Sequence, residues 1–356
     1  MPTPEEITRE FRKIYLRVQA SFNRKYRDAF DKVITEFSLL ANDPNIKFTR
    51  SYQFAPSINK KMTSIITEFH DDILTLTEGD IEDIWLLSNQ KNDRIVNNYL
   101  KAIETIKANQ KAAYMLPNIQ ALKAFIGRGK NTETLSDAIW KVSKQLRSEL
   151  ETHLGIGITN GDSAQVISQR IRKYLENPDA LFRRVRNKNG RLVASQKMIN
   201  FRKDNKLTQG TYTSAYKNAL RVTRTETNMA YMTADHLRWL QMDMVVGVRI
   251  SLSAQHPDYN FPEICEILEG DYPKTFFFRG WHPQCLCNEV PIMMPQNDFK
   301  AYLKGNLPLK AEQIKEMPNN FIEHIKSDFE RYSNYKNTPY FIADNQKIIN
   351  QILKEK

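Results

Sequence analysis

The most constraining feature of this chain is an apolar stripe that runs unbroken from Thr3 to about Ala41. Phe11, Ile14, Tyr15, Val18, Phe22, Tyr26, Phe30, Val33 and Phe37 recur every three or four residues, the period of one face of an α-helix. Thr3, Pro4 and Glu6 supply a helix N-cap, a first-turn proline and a capping-box partner. A fold containing such an element is predominantly helical. Later segments agree, with helices expected over about Ser57–Leu76, Asp80–Met115 (ended by LPN at 116–118), Leu135–His153 and Thr211–Met242. Ser163 caps another helix, carrying Val166, Ile167, Ile171 and Leu175 on its apolar side, after the glycine-rich turn LGIGITNGDS. NDPNIKFTRSYQFAP breaks the first helix, and GRGKN at 127–131 reads as a linker.

The character changes after the long helix at 211–242. VVGVRISL (245–252) is strand-like, and FFF (276–278) and NEVPIM (288–293) are short extended candidates. From Asn297 the pattern returns to helix, with Thr338 and Pro339 as a start signal. The expected class is therefore α+β and predominantly helical. It divides into a long-helix N-terminal region (1–128), a mixed α/β domain with a small β-rich Cys/His segment (129–296) and a helical C-terminal tail (297–356). No internal repeat appears. The opening MPTPEEITREF lacks the basic-then-apolar pattern of a signal peptide, and no apolar run reaches the roughly 18 residues of a membrane span. Folding in a cytosol without membrane contact is expected. An odd number of cysteines, three, argues against a disulfide framework.

The net charge of +11 is concentrated in one segment. Residues 170–224 carry +12 and the remainder sums to −1. Within it, Arg183, Arg184, Arg186, Lys188, Arg191, Lys197, Arg202, Lys203 and Lys206 surround NKNG, which reads as a turn between short extended pieces. So dense a block suits phosphates or an acidic protein surface, against the bland alternative of a solvated basic face.

Two constellations carry chemistry. His256, Cys265, His282, Cys285 and Cys287 lie within 32 residues and include every cysteine of the chain. Zinc takes four such N and S ligands in a tetrahedron. Cys285 and Cys287 share a face if extended but reach one ion more easily from a turn, which Pro283 could supply. The spacing is not that of a standard finger, since CxC replaces CxxC, and it lacks the HxE and PCxxC of zinc deaminases and the HExxH of zinc proteases. Coordination by four of these five would be structural; a disulfide from Cys265 or packed free thiols are the alternatives. The second constellation is RVTRTETNMAYMTADH (221–236), where Arg221, Arg224, Asn228 and Asp235 share one broad helix face. It reads as a polar face with an i,i+4 network, and no nucleophile or acid stands out beside it.

With these in order, the stretch from about 150 to 295 resembles the phage head morphogenesis family, the phage Mu F-like minor head proteins. The resemblance rests on Gly161 with Ser163 before a helix, Arg224-Thr225-Glu226 in a later helix, and the strand VVGVRISL. His256 with Cys265 and the closing His282-Pro283-Gln284-Cys285-Leu286-Cys287 complete it. The family commonly has Arg where this chain has Leu286. The resemblance implies a non-catalytic minor protein of a tailed-phage head. It would associate with portal and capsid proteins and act in head assembly, DNA packaging or delivery. Packaged double-stranded DNA is a further partner, and the protein would pass from the host cytoplasm to the virion. The alternatives are a metal-dependent nuclease or toxin-like enzyme on a head-protein scaffold, and a sequence-independent DNA-binding module.

Overall fold

The computed structural model describes residues 2–43, 54–103, 106–129, 134–188, 190–205, 207, 213–253, 256, 263–306, 308, 313–335 and 338–354. In chain order the first helices are α1 (Pro4–Leu39), α2 (Pro56–Leu100), α3 (Ala108–Tyr114), α4 (Ile119–Ile126), α5 (Leu135–Asn160) and α6 (Ala164–Glu176). A hairpin of β1 (Val185–Arg186) and β2 (Leu192–Val193) leads to α7 (Gln196–Asp204) and α8 (Ala215–Gln241). Then come β3 (Val245–Ser251), α9 (Ile264–Ile267), β4 (Gly270–Tyr272) and β5 (Asn288–Met293). The chain finishes with α10 (Gln296–Leu303), α11 (Asn319–Ser333), α12 (Tyr340–Ala343) and α13 (Gln346–Lys354). The class is α+β and predominantly helical, with a long N-terminal helix.

The start of α1 is the reciprocal cap expected from the sequence: Thr3 N–H donates to Glu6 Oε2 (2.8 Å) and Glu6 N–H to Thr3 Oγ1 (3.2 Å). Three helix boundaries differ from expectation. α2 continues through Gly79 as one helix of 45 residues instead of two, since an interior glycine costs only about 1 kcal/mol. Its neighbourhood is secured by Thr77, whose hydroxyl bonds to Ile73 O (2.7 Å) and Tyr26 Oη (2.6 Å). α2 ends at Leu100, where the chain turns and buries Ile103, and LPN at 116–118 ends the separate short helix α3. α5 runs on to Asn160, so most of LGIGITNGDS is helix. A Cβ on Gly157 would lie 2.3 Å from Ile167 Cγ1; this glycine serves close packing of α5 on α6. Only Gly161, at φ +70° with its N–H on Ile158 O, forms the turn.

The chain forms two compact units. One is built from Gln19–Gly79 and Arg128–Thr223. Its core joins Phe22, Phe30, Ile66, Phe69, Leu146, Leu150, Ile167 and Ile171, all buried. Phe30 meets Phe69 and Tyr216 edge-on, with ring centres 4.8 and 5.2 Å apart.

The other unit comprises Met1–Val18, Asp80–Gly127 and Arg224–Lys356. It contains an antiparallel sheet in the order β4-β3-β5. Ile250 pairs with Gly270 on one side and Glu289 on the other, and Ser251 pairs with Asn288. Residues 276–278, expected to be extended, form no strand: the side chain of Asn345 satisfies both backbone groups of Phe277 (2.8 Å each) in place of a strand partner. Trp281, Phe278, Phe321 and Phe341 pack around this loop, with ring centres 4.7–6.4 Å apart.

The face of α8 read as polar is half-buried at Arg221 and Arg224 and buried at Asn228 and Asp235. Asp235 is fully buried and accepts from Ser88 Oγ (2.6 Å), Asn92 Nδ2 (2.7 Å) and Lys91 Nζ, all on α2. Arg238 bonds Asn89 Oδ1 (2.7 Å) and Asp93 Oδ1 (2.6 Å), and Trp239 Nε1 donates to Asn92 Oδ1 (2.7 Å). Asp235, read as part of a polar face, thus finds its partners on α2 inside the core.

Candidate metal centre

Sheet register explains why ligands far apart in sequence meet. The C-terminal end of β3 and the N-terminal ends of β4 and β5 lie at the same end of the sheet, because both pairings are antiparallel. His256 follows β3 by five residues, Cys265 on α9 precedes β4 by five, and Cys287 abuts β5. The order of the strands thus delivers all three cysteines to one place.

The loop into β5 is a turn. Gly280 has φ +107° and Gln284 φ +61°, both left-handed, and Cys285 N–H donates to His282 O (3.1 Å). A Cβ on Gly280 would come within 3.0 Å of Cys285 Cβ, so the chain crosses Cys285 at a distance open to glycine. Cys265, Cys285 and Cys287 are buried, free thiols whose Sγ atoms lie within 4.8 Å of one another. Cys265 Sγ is 3.8 Å from Cys285 Sγ and 3.0 Å from His282 Nε2.

These distances test the fit to zinc. With Zn–S near 2.3 Å, the S···S edge of a tetrahedron is about 3.8 Å, and with Zn–N near 2.0 Å the S···N edge is about 3.5 Å. The Cys265–Cys285 spacing matches the first, while His282 needs to withdraw by about half an ångström. That ring is only partly buried. Its Nδ1 lies 2.9 Å from the carbonyl of Pro283. An Nδ1–H donated there leaves the Nε2 lone pair facing the thiols, the outer bond common to zinc-bound imidazoles. His256 is placed differently. It forms a second group with Glu263 and Cys265, and its Nε2 lies 3.3 Å from Glu263 Oε2. The donors that converge closely enough for one ion are therefore Cys265, Cys285 and Cys287, while His282 meets Cys265 from outside that group and His256 stands on the other flank of Cys265.

Hydrogen bonds from Cys265 and Cys287 hold the Cys285 thiol well below the ordinary thiol range, overcoming its burial. Its partners are pushed up: Cys265 chiefly by its bond to Cys285, and Cys287 by its bonds to Cys265 and Cys285. One thiolate shared among three sulfurs is a ready acceptor for a soft cation. Three sulfurs converge, and a fourth protein ligand, with His282 the nearer imidazole to Cys265, would close the coordination in the manner of a structural zinc.

Two neighbours were not apparent from the sequence. Arg12, buried on α1, donates to Leu286 O (3.4 Å) and Asn228 Oδ1 (3.5 Å) and lies over the Tyr15 ring at 4.6 Å. It ties the N-terminal helix to the backbone between the last two cysteines. Glu289 is buried, and burial raises its carboxyl well above the usual range, with Asp235 adding to the effect. Neither carries a local signature, because each depends on a partner remote in sequence.

Among the family-signature residues, Gly161 closes α5 and Ser163 caps α6 by accepting from Val166 N–H (3.4 Å). Arg224, Thr225 and Glu226 lie within α8, with Thr225 buried. Of the basic set, Arg183, Arg186, Lys188, Arg191, Lys197 and Lys203 are exposed and Arg184 is half-buried. Arg202 is buried and paired with Asp179 (2.6 Å), which takes it out of the exposed set. Lys206 lies outside the described residues. Comparison with protein-family models, with curated proteins and with solved structures finds no match to this chain.

Proposed function

We propose that this chain is a non-catalytic minor head protein of a tailed phage or prophage. In this reading it associates with portal and capsid proteins during head assembly in the host cytoplasm and remains in the virion, and a structural zinc on Cys265, His282, Cys285 and Cys287 fixes its fold. The single observation that supports the reading is the buried three-cysteine cluster, with His282 against Cys265, at the end of the β4-β3-β5 sheet. It is built by the closing segments on which the resemblance to the Mu F-like head proteins rests. Completed by His282, a clamp with all four positions filled by protein would suit a scaffold. The buried Lys91–Asp235 pair and the part-buried Arg238–Asp93 pair, fixed by neighbouring side chains, likewise suit a rigid helical seam.

The test is co-assembly. The tagged protein, expressed with the portal and capsid proteins encoded beside it, is expected to co-purify with portal or procapsid and to be found in virions by mass spectrometry. Absence from both would remove the reading. The alternative, a metal-dependent nuclease, requires nicking of plasmid DNA with added divalent metal that is lost in His282→Ala.

A further inference from the structure

The charged hairpin stands apart from the arginines around it. In the same unit, Arg147, Arg170, Arg172 and Arg202 are each held by a carboxylate, from Glu151, Asp162, Asp31 and Asp179 respectively. Arg183, Arg186, Lys188, Arg191, Lys197 and Lys203 form no ion pair among the described residues, and all six are exposed. Residues 183–203 contain no Asp or Glu at all. The strands between them pair Val185 with Val193 and Arg186 with Leu192. Gly190 at φ +73° and the Asn187 carboxamide, which accepts from Arg191 N–H (2.9 Å), shape the turn. Val185 and Leu192, each 48% exposed, stand on the same ribbon. The result is a shaped two-stranded projection with six uncompensated cations.

We propose that the β1–β2 ribbon and the start of α7 bind duplex DNA through its phosphates, without reading sequence. This goes beyond the head-assembly reading, which needs only protein partners, and rests on the charge and geometry of this unit alone. Three features select the partner. An acidic protein would need a desolvated apolar centre, since a stable interface covers about 800 Å² on each side, and two side chains on strands of two residues cannot provide one. Single strands are held by stacking on open aromatic rings. The local aromatics are otherwise engaged: Lys197 covers Phe182 at 4.9 Å, and Phe182 packs edge-on against Phe201 at 5.5 Å. The major groove of B-form DNA admits a two-stranded ribbon, whereas that of an RNA duplex is too narrow. Arginines flanking the ribbon would grip phosphates on both sides of the groove.

Fluorescence anisotropy of the full chain with a random duplex of about 30 base pairs tests this across a salt series. Log affinity should fall with log salt at about 0.9 per phosphate contact, giving a slope of roughly −3.6 to −5.4 for four to six contacts. The triple variant Arg183→Gln/Lys188→Gln/Arg191→Gln removes side chains that hold no structural contact among the described residues, and should keep the wild-type melting temperature. It should flatten the slope by about 2.7 and weaken binding at low salt at least tenfold. Lys315→Gln/Lys347→Gln/Lys354→Gln removes the same charge elsewhere and should leave both unchanged. A flat wild-type slope, equal losses in the two triple variants, or tighter binding to polyglutamate than to duplex DNA would each overturn the proposal.

Discussion

Gly280 and His282 show how single residues set the candidate metal centre. Gly280 permits the turn to close over Cys285, and His282 is oriented by the carbonyl of Pro283. From sequence, five candidate ligands were visible and four were needed. Choosing among them required geometry, because His256 and His282 are equivalent as letters and differ only in what each ring faces. Metal analysis of protein purified without chelator should find about one zinc per chain. Cys285→Ser or Cys287→Ser should abolish it, and His282→Ala should leave a site that loses zinc to mild chelation. His256→Ala should keep it. Loss of zinc from His256→Ala with retention in His282→Ala would assign the fourth ligand to His256 instead.

At the scale of elements, α5–α6 and α2–α8 are each joined by one demanding contact. Gly157→Ala places a methyl group against Ile167, which is fully buried. Although alanine favours helix, the clash should lower stability by about 1–3 kcal/mol. Ile167→Ala in the same chain should recover part of the loss, measured by urea unfolding of single and double variants. Independent, additive effects would show that α5 and α6 do not meet there. The α2–α8 seam gives the electrostatic counterpart. Lys91→Met leaves Asp235 buried without its cation, at a cost of about 3–5 kcal/mol. Lys91→Met/Asp235→Leu removes both charges and should be closer to wild type than Lys91→Met. A double variant worse than the sum of the singles would mean that Ser88 and Asn92, left without an acceptor, dominate the seam. Both contacts mark what a linear reading reaches. Periodicity finds α1, α6 and α8, and β-branched runs find β3 and β5, because those signals are local. Gly157 reads as a turn residue, since nothing nearby reveals that Ile167 packs on it. FFF at 276–278 reads as a strand, since Asn345, which displaces a strand partner, lies some 68 residues away.

For the whole molecule, buried histidines and buried carboxyls set opposing slopes of stability with pH. Burial lowers His153 from 6.5 to about 3, with Arg170 adding to it, and burial lowers His236 from 6.5 to about 4. The folded chain binds fewer protons than the unfolded one at these sites, so their contribution is present above pH 6.5 and is lost as pH falls toward 4 and 3. Glu149 behaves oppositely. Burial raises its carboxyl from 4.5 to about 8, against the pull of Ala215 N–H, Gln145, Tyr174 and Arg202. Its contribution is complete below pH 4.5 and disappears as pH rises through 8. The histidine terms are complete above pH 6.5, and beyond it Glu149, with the raised Glu289 carboxyl acting in the same sense, makes stability fall, Glu149 contributing about 2 kcal/mol toward pH 8. Glu149→Gln keeps an acceptor for Ala215 N–H, whose bonds to the carboxylate are 3.1 and 3.2 Å, but cannot ionise. Melting temperatures from pH 4 to 9 should therefore show the alkaline decline flattened in Glu149→Gln while the acid limb, set by His153 and His236, persists. An alkaline limb unchanged by the substitution would mean that Glu149 is already ionised in the folded chain and that the decline arises elsewhere.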